Sequence, residues 1–169
     1  MHVVESNGCA AATVRPTEAA FRELIRTRGL LERVQQTYFA QFGLTGSQWA
    51  ILRHLHRAEE EGQVGLRLTD LSDRLLLRPP SVTGVVDRLE RAGLVVREGS
   101  PTDLRAKQVM LTERGREIID RVLAVHGEQI ESVLGGLSAD EVSELHRILV
   151  RFREHLEKLI APGSAVPVN

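Results

Sequence analysis

Aromatic residues and cysteine are scarce in this chain, and neither sign of charge dominates it. Only 4% of the 169 residues are aromatic, and Cys9 is the single cysteine. One cysteine cannot form an intramolecular disulfide or a cysteine-rich zinc module. Because 42% of the residues are nevertheless hydrophobic, the composition favours helices packed through Leu, Val, Ile and Ala over a β-sandwich.

Long apolar segments are also missing. No run approaches the roughly 20 apolar residues that cross a bilayer, and residues 1–16 lack the basic start and apolar stretch of a signal peptide. We therefore expect a cytoplasmic protein with no membrane contact. The 22 basic and 23 acidic residues give a net charge of −1, so a nucleic-acid surface would depend on local placement of charge.

No motif of an enzyme or a metal centre is recognisable. The sequence has no Ser/His/Asp or Cys/His motif and no Gly-rich phosphate loop, so we expect neither catalytic residues nor a cofactor. The six histidines include no pair four residues apart, which argues against a metal site. Cys9 has only Arg15 as a nearby cation, which favours an inert thiol, although a disulfide between two copies stays open.

Apolar periodicity predicts long helices near both ends of the chain. The first is expected to run from a Thr17 cap to about Phe42, with Leu24 and Leu31 on its apolar stripe. The last begins at the capping box Ser138–Glu141. Its seam alternates steps of three and four residues and consists of Val142, Leu145, Leu149, Phe152, Leu156 and Leu159. Such a seam packs along another helix, so these residues are predicted to mediate dimerisation.

The middle of the chain predicts a helix-turn-helix followed by a hairpin. A capping box at Thr45–Gln48 opens one helix, Thr69 caps a short second one, and Pro79-Pro80 can only begin a third. The inner face of that third helix is expected to contain Val82, Val85, Val86 and Leu89. Two β-prone segments, 94–98 and 107–111, flank a polar tip, and Thr112 caps the next helix.

This order of elements predicts a mainly α fold with a small β-wing. The fold would be a winged helix-turn-helix domain with N- and C-terminal dimerisation helices. We expect a DNA-binding region at 44–112 and a helical dimerisation region at 17–43 and 113–160. Residues 1–16 are expected to form a mobile arm, and residues 161–169 a disordered tail.

Three motifs, in order and at matching spacing, resemble the MarR family of bacterial transcriptional regulators. They are Leu44-Thr45-x-x-Gln48-Trp49-x-x-Leu52, the continuous segment from Ser81 to Val95, and Pro101-x-Asp103-x-Arg105-x-Lys107 followed by Leu111-Thr112-x-x-Gly115. The resemblance covers roughly residues 17–160. It implies a homodimer, with interlocked first and last helices, that binds double-stranded DNA through two winged domains.

The resemblance also implies which residues contact DNA. The helix from Pro79 would lie in the major groove, where base edges are distinguishable. Its outward or flanking positions are Arg78, Ser81, Thr83, Gly84 and Arg88. The wing would place Arg105 in the minor groove, with Asp103 holding its guanidinium group and Lys107 near phosphate. Residues 67–107 carry eight basic and six acidic side chains, a local net charge of +2. Asp87 is expected to pair with a neighbouring arginine, because it would otherwise repel phosphate.

Relatives of this kind often release DNA when a small aromatic or phenolic acid binds beside the dimer helices. Candidate effector-binding residues are Arg33, Gln36, Trp49, Arg53 and His56. Trp49 also suits a place in the core. The alternative function is a winged-helix dimer that acts as a protein-interaction module without operator binding, although Arg78, Arg105 and Lys107 argue against it. Departures from the family pattern at Pro79-Pro80, Gly84 and Leu104 leave the operator sequence open.

Overall fold

The computed structural model describes residues 15–100 and 103–161, and the side chains of residues 100 and 103–106 are not described. Within these ranges the elements are α1 (Pro16–Ala40), α2 (Gly46–Glu60), β1 (Leu66–Arg67), α3 (Leu68–Leu75), α4 (Pro79–Arg91), β2 (Val95–Ser100), β3 (Asp103–Leu111), α5 (Glu113–Leu134) and α6 (Ala139–Ile160). The chain divides into two compact units, one ending at Ile119 and the other beginning at Asp120. The predicted arm and tail lie almost entirely outside the described residues.

The first helix begins two residues earlier than expected, because its N-cap is Arg15 rather than Thr17. Pro16 occupies the first helical position and Arg15 is the N-cap. Proline suits that position because its fixed φ is already helical and its missing N–H would have had no partner. The helix ends at Ala40 rather than Phe42, and the following turn closes at Gly43, whose φ is +69°.

The cap predicted at Thr69 is also wrong. The third helix starts at Leu68, and Asp70 accepts a hydrogen bond of 3.0 Å from the backbone N–H of Arg67. The predicted capping boxes Thr45–Gln48 and Ser138–Glu141 are confirmed. Side-chain caps that depend only on neighbouring residues were therefore predictable, whereas α3 begins where the short strand β1 ends.

A three-stranded antiparallel sheet of order β1-β3-β2 forms the wing and its base. The two-residue strand β1 was not predicted, and it pairs Leu66 with Val109. The hairpin strands reach Ser100 and begin again at Asp103, so the predicted eight-residue tip at 99–106 is wrong. Backbone pairing continues there although the sequence lacks the apolar alternation from which a half-buried strand is predicted.

The core of the first unit lies where α2, α3 and α4 pack together, with α2 also against β3. Residues of α2, α3, α4, β1 and β3 with at most 2% exposure include Ile51, Leu52, Leu55, Leu66, Leu71, Val82, Val86, Leu89 and Val109. The predicted inner face of α4 is confirmed, since Val82, Val85, Val86 and Leu89 are all buried. Burial of this face fixes which residues of α4 point outward.

Gly115 allows the start of α5 to approach the base of the wing. A Cβ atom at this position would lie 2.1 Å from the carbonyl oxygen of Leu94. That same oxygen accepts a hydrogen bond from the backbone N–H of Thr112 at 3.1 Å. The Thr112 hydroxyl accepts from the Gly115 N–H at 3.0 Å, which confirms the predicted cap. Any larger residue at position 115 would push α5 away from this junction.

The turn between α3 and α4 contains a strained leucine. Leu76 has φ +52° and ψ +35°, and its side chain is 80% exposed. The left-handed conformation costs a residue with a Cβ atom about 1–2 kcal/mol, and an exposed side chain recovers little of this by packing.

We predict that Leu76→Gly raises the free energy of unfolding by about 0.5–1 kcal/mol. The relieved strain exceeds the extra entropy that glycine loses on folding, which is about 0.5–1 kcal/mol. Urea denaturation followed by circular dichroism measures the change. Leu76→Ala is the matched control, because it removes the exposed side chain and keeps the strained Cβ. An equal gain in both variants would contradict the role of strain.

Candidate nucleic-acid interface

The outward face of α4 carries the residues that the sequence predicted for base and phosphate contacts. Arg78, the N-cap of α4, and Ser81 in its first turn are both exposed. Arg88 is exposed two turns further along, and its guanidinium group lies beside Gly84, where a Cβ atom would be 3.8 Å from Nη1. These positions are exposed although the valines between them are buried, so α4 presents polar side chains to solvent.

Thr83 is oriented differently from Ser81. It is half-buried, and its hydroxyl donates a hydrogen bond of 3.0 Å to the carbonyl oxygen of Pro79, one turn earlier in the helix. In this arrangement the hydroxyl can still accept a hydrogen bond, but its proton is already used. Thr83 is therefore less available as a donor to DNA than Ser81.

An ion-pair cluster links α4 to the first strand of the wing. Arg97 on β2 pairs with Asp87 at 2.5 Å and also with Glu90, and its side chain is only 17% exposed. The backbone N–H of Arg97 donates a second bond to Glu90 at 3.3 Å. The predicted pairing of Asp87 with a nearby arginine is confirmed. The cluster neutralises two carboxylates beside the outward face of α4 and holds the wing strand against that helix.

Sequence reasoning missed the roles of Glu90 and Arg97. Asp87 and Glu90 are three residues apart and so lie on one side of a helix. That spacing, followed by an arginine in the next strand, was the available signal. Residue spacing alone could not predict that β2 places Arg97 beside both carboxylates.

Among the described side chains of the wing, Lys107 is the exposed cation, whereas Arg97 is half-buried in its ion pairs. Lys107 is exposed on β3, where its backbone lies opposite Gly99 of β2. Asp103 and Arg105 belong to the same strand, but their side chains fall outside the described part of the structure. Their predicted contact with each other and with the minor groove therefore stays a prediction.

Basic side chains also surround His54 on α2. Burial, together with the charges of Arg57, Arg74 and Arg53, lowers the pKa of His54. His54 is therefore neutral near pH 7, and the positive charge at this part of α2 and α3 comes from the arginines. Of these three arginines, Arg74 donates a hydrogen bond of 3.5 Å to the side-chain oxygen of Gln63.

The five candidate effector residues do not form one cluster. Trp49 is 7% exposed and stacks on Phe39 with ring centroids 5.2 Å apart, which gives it a place in the core. Arg53 and His56 contact each other at 2.9 Å, and both lie within 3.5 Å of Glu60. Arg33 is exposed on α1.

Gln36 alone of those five lines a groove between α1 and the start of α2. The groove has a volume of about 350 Å³, and its lining consists of Glu32, Gln35, Gln36, Thr45, Gly46 and Ser47. The amide and hydroxyl groups offer hydrogen bonds, and Glu32 brings a negative charge. A phenolic hydroxyl fits this lining better than a carboxylate does, because a carboxylate would approach Glu32.

Two of the long helices expose the apolar stripes that were predicted to mediate dimerisation. Leu24 and Leu31 on α1 are 37% and 39% exposed, while Leu149 and Leu156 on α6 are 46% and 43% exposed. Of the other predicted positions, Val142, Leu145, Phe152 and Leu159 are half-buried. No residue of the 22-residue helix α6 is buried in the single chain. Most helical stability comes from packing of an apolar face, and the apolar face of α6 is only partly covered within the single chain.

Metal-binding clusters and membrane-spanning helices are both absent among residues 15–100 and 103–161. These residues hold no group of three or more His, Cys, Asp or Glu side chains placed to bind a metal ion. None of the described helices is both long and apolar enough to cross a membrane.

Comparison with known proteins identifies transcriptional regulators as relatives of this chain. The MarR family profile matches residues 42–106. An uncharacterised HTH-type transcriptional regulator of Bacillus subtilis, YkoM, is 32% identical over 120 residues, which are 71% of this chain and 75% of YkoM. AbsC, a MarR family transcriptional regulator from Streptomyces coelicolor, has a similar structure with a TM-score of 0.74 and 27% identity, covering 85% of this chain and 97% of AbsC.

A structure that contains DNA is also similar. A mutant MarR of E. coli complexed with operator DNA gives a TM-score of 0.70 at 24% identity, covering 79% of this chain and 93% of that protein. At this identity the likeness concerns the fold. The helix-turn-helix of α3 and α4 with its β-wing thus defines a winged-helix protein of the DNA-binding class. The chain belongs to the MarR family of transcriptional regulators, which is not a class of enzyme.

We predict that Arg97→Ala lowers the free energy of unfolding by about 1 kcal/mol, because Asp87 and Glu90 lose their shared partner. The expected loss is small because both carboxylates are partly exposed. Arg97→Lys should recover only part of the loss, since one ammonium group cannot bridge two carboxylates as a guanidinium does. Urea denaturation provides the measurement.

Arg57→Ala serves as the control for this prediction. Arg57 is exposed on α2, and surface changes of this kind usually stay within about 0.5 kcal/mol. If the Arg97 and Arg57 variants unfold at the same urea concentration, the cluster does not stabilise the junction of α4 and the wing.

Proposed function

We propose that this protein is a transcriptional repressor that binds a pseudo-palindromic operator as a homodimer and is released by a small-molecule effector. The observation that carries the proposal is the outward face of α4. Arg78, Ser81 and Arg88 are exposed there, and the nearby carboxylates of Asp87 and Glu90 are paired with Arg97. An uncompensated Asp87 would repel phosphate, so this pairing is what makes the face suitable for DNA.

The local charge supports the same conclusion. Residues 67–107 carry a net charge of +2 in a chain with a net charge of −1. Phosphate contacts supply most of the affinity of a DNA-binding protein, whereas contacts to base edges give its specificity. Arg78 and Lys107 suit phosphate, and Ser81 and Arg88 suit base edges. Arg105 at the wing would enter the minor groove, whose negative potential attracts arginine.

Dimerisation is supported by the exposed apolar side chains of α1 and α6. Leaving several large aliphatic groups in water is unfavourable by about 25 cal/mol for each Å² of apolar surface. We propose that these stripes pack against the same helices of a second copy. A symmetric dimer would offer two copies of α4 to two half-sites, which explains the expected palindrome.

We infer that the effector binds in the groove between α1 and the start of α2. The groove lined by Gln36 has a volume of about 350 Å³, within the range of about 300–1,000 Å³ of small-ligand pockets. Its amide and hydroxyl groups suit the hydroxyl of a small phenolic ligand. Chromosomal DNA as the partner is also consistent with the cytoplasmic location expected from the sequence.

The first experiment is a pulldown of random genomic fragments on the purified protein at several salt concentrations, followed by sequencing. We expect enrichment of one inverted repeat with half-sites about 10 base pairs apart. The genes beside it would indicate the chemical class of the effector. Weak, salt-sensitive binding without an enriched sequence would instead favour a winged-helix interaction module.

The Arg105→Ala variant is tested on the enriched repeat. We expect weaker binding and a salt dependence whose slope falls by about one unit for each phosphate that the variant no longer neutralises. Arg57→Ala, at an exposed position of α2, is the control for removal of an arginine elsewhere. An unchanged slope for Arg105→Ala would mean that Arg105 contacts no phosphate.

We predict that Leu149→Glu or Leu156→Glu yields a monomer with greatly reduced affinity for the operator. A glutamate in an apolar interface would be buried without a partner, which is costly, and a monomer binds only one half-site. Light scattering gives the oligomeric state, and a binding titration gives the affinity.

Val64→Glu provides a matched control. Val64 is an apolar residue with 56% exposure that lies outside the terminal helices. The same substitution there should leave the dimer intact. A Leu149→Glu protein that is monomeric yet binds the operator tightly would contradict joint binding of the two half-sites.

A further inference from the structure

The first four residues within α4 have no backbone N–H group left for a phosphate. Its first two residues, Pro79 and Pro80, have no N–H group. The next two N–H groups, those of Ser81 and Val82, both donate to the carbonyl oxygen of Arg78, at 2.9 and 3.3 Å. A helix N-terminus usually binds anions through such groups. Here they are either absent or already used.

The start of α4 presents apolar surface instead. Pro79 and Pro80 are both exposed. Gly84 lies four residues after Pro80, and therefore on the same face of the helix one turn later. A Cβ atom at Gly84 would contact only the guanidinium group of Arg88, at 3.8 Å, so the space above the backbone is open. We use the term apolar notch for the surface that the Pro80 ring and the Cβ side of Gly84 share on this face of α4, with the guanidinium group of Arg88 at its edge.

We propose that this notch reads the C5 methyl group of a thymine in the major groove. The residues at the N-terminal end of a recognition helix contact base edges. Among the features that base pairs present in the major groove, the thymine methyl group is the apolar one. A proline ring and bare backbone suit that methyl group, and they cannot satisfy a base donor or acceptor. The inference rests on the proposed operator binding and adds a specificity-determining residue to it, Pro80.

The test uses the enriched operator as a synthetic duplex in which each thymine of a half-site is replaced singly by deoxyuridine. This change removes one methyl group and leaves base pairing intact. We expect one thymine per half-site at which the replacement weakens binding about fourfold. This is the change in affinity that corresponds to burial of one methyl group. Thymines outside the half-sites are the control on the DNA. Fluorescence anisotropy at fixed salt gives the affinities.

Two protein variants then locate the contact. In Pro80→Ala the ring is removed, so the penalty for deoxyuridine at that position should fall to near onefold. In Gly84→Ala the added methyl group changes the shape of the notch, so the penalty for deoxyuridine should differ from that of the unmodified protein. Gly84→Ala is sterically tolerated and replaces glycine inside a helix, which favours folding. It therefore keeps the test valid if Pro80→Ala is poorly folded.

The outcomes separate this inference from the proposed function. If the protein binds its operator but no deoxyuridine replacement costs more than twofold, reading of a methyl group is wrong and operator binding stands. A penalty that stays the same in both variants would assign the methyl contact to another residue and overturn the role of Pro80. If no duplex is bound specifically, the operator proposal and this inference both fail.

Discussion

The ion-pair cluster of Arg97 with Asp87 and Glu90 is the constraint on which the DNA-facing surface depends. It joins β2 to α4, and so it fixes the direction of the wing relative to the helix that would enter the major groove. The same contacts neutralise two carboxylates on a helix that must approach phosphate. Without a cation from the wing, the outward face of α4 would carry almost as much negative as positive charge. One ion-pair cluster therefore sets both the position of the wing and the charge of the outward face of α4.

This cluster shows how a chain with almost no net charge can provide a surface for a polyanion. The 22 basic and 23 acidic side chains are not separated into blocks. Instead, carboxylates near α4 are occupied by hydrogen bonds, as when Asp70 accepts from the backbone of Arg67. Arginines such as Arg78 and Arg88 remain exposed. What a nucleic acid meets is the arrangement of exposed cations, which total charge does not describe.

Much of the fold followed from local signals in the sequence. The inner face of α4 and the capping boxes at Thr45 and Ser138 depend on residues three or four positions apart, and all were predicted correctly. The cap at Thr69 and the strand β1 were not, because they depend on the pairing of Leu66 with Val109, more than 40 residues away. Likewise, Arg97 could be located in a strand from sequence, but its two partners depend on packing between elements. The exposure of Arg78, Ser81 and Arg88 was predictable, because the periodic apolar face of α4 is buried. Of the effector candidates, Gln36 lines the groove between α1 and α2, and positions on two different helices could not be joined into one pocket from sequence.

The double proline at the start of α4 is best understood together with the rest of that helix. Prolines at the first two positions fix the backbone where the helix begins. The turn just before them holds Leu76 in the left-handed region. They also remove the donors that would hold a phosphate at this end of the helix. Affinity must then come from side chains such as Arg78 and Lys107 and from the wing. Because Pro79 and Pro80 carry neither a charge nor an N–H donor, their contact with DNA would serve selection among base pairs more than strength of binding. Strength would come from the cations around them, of which Arg78 is the nearest in the chain.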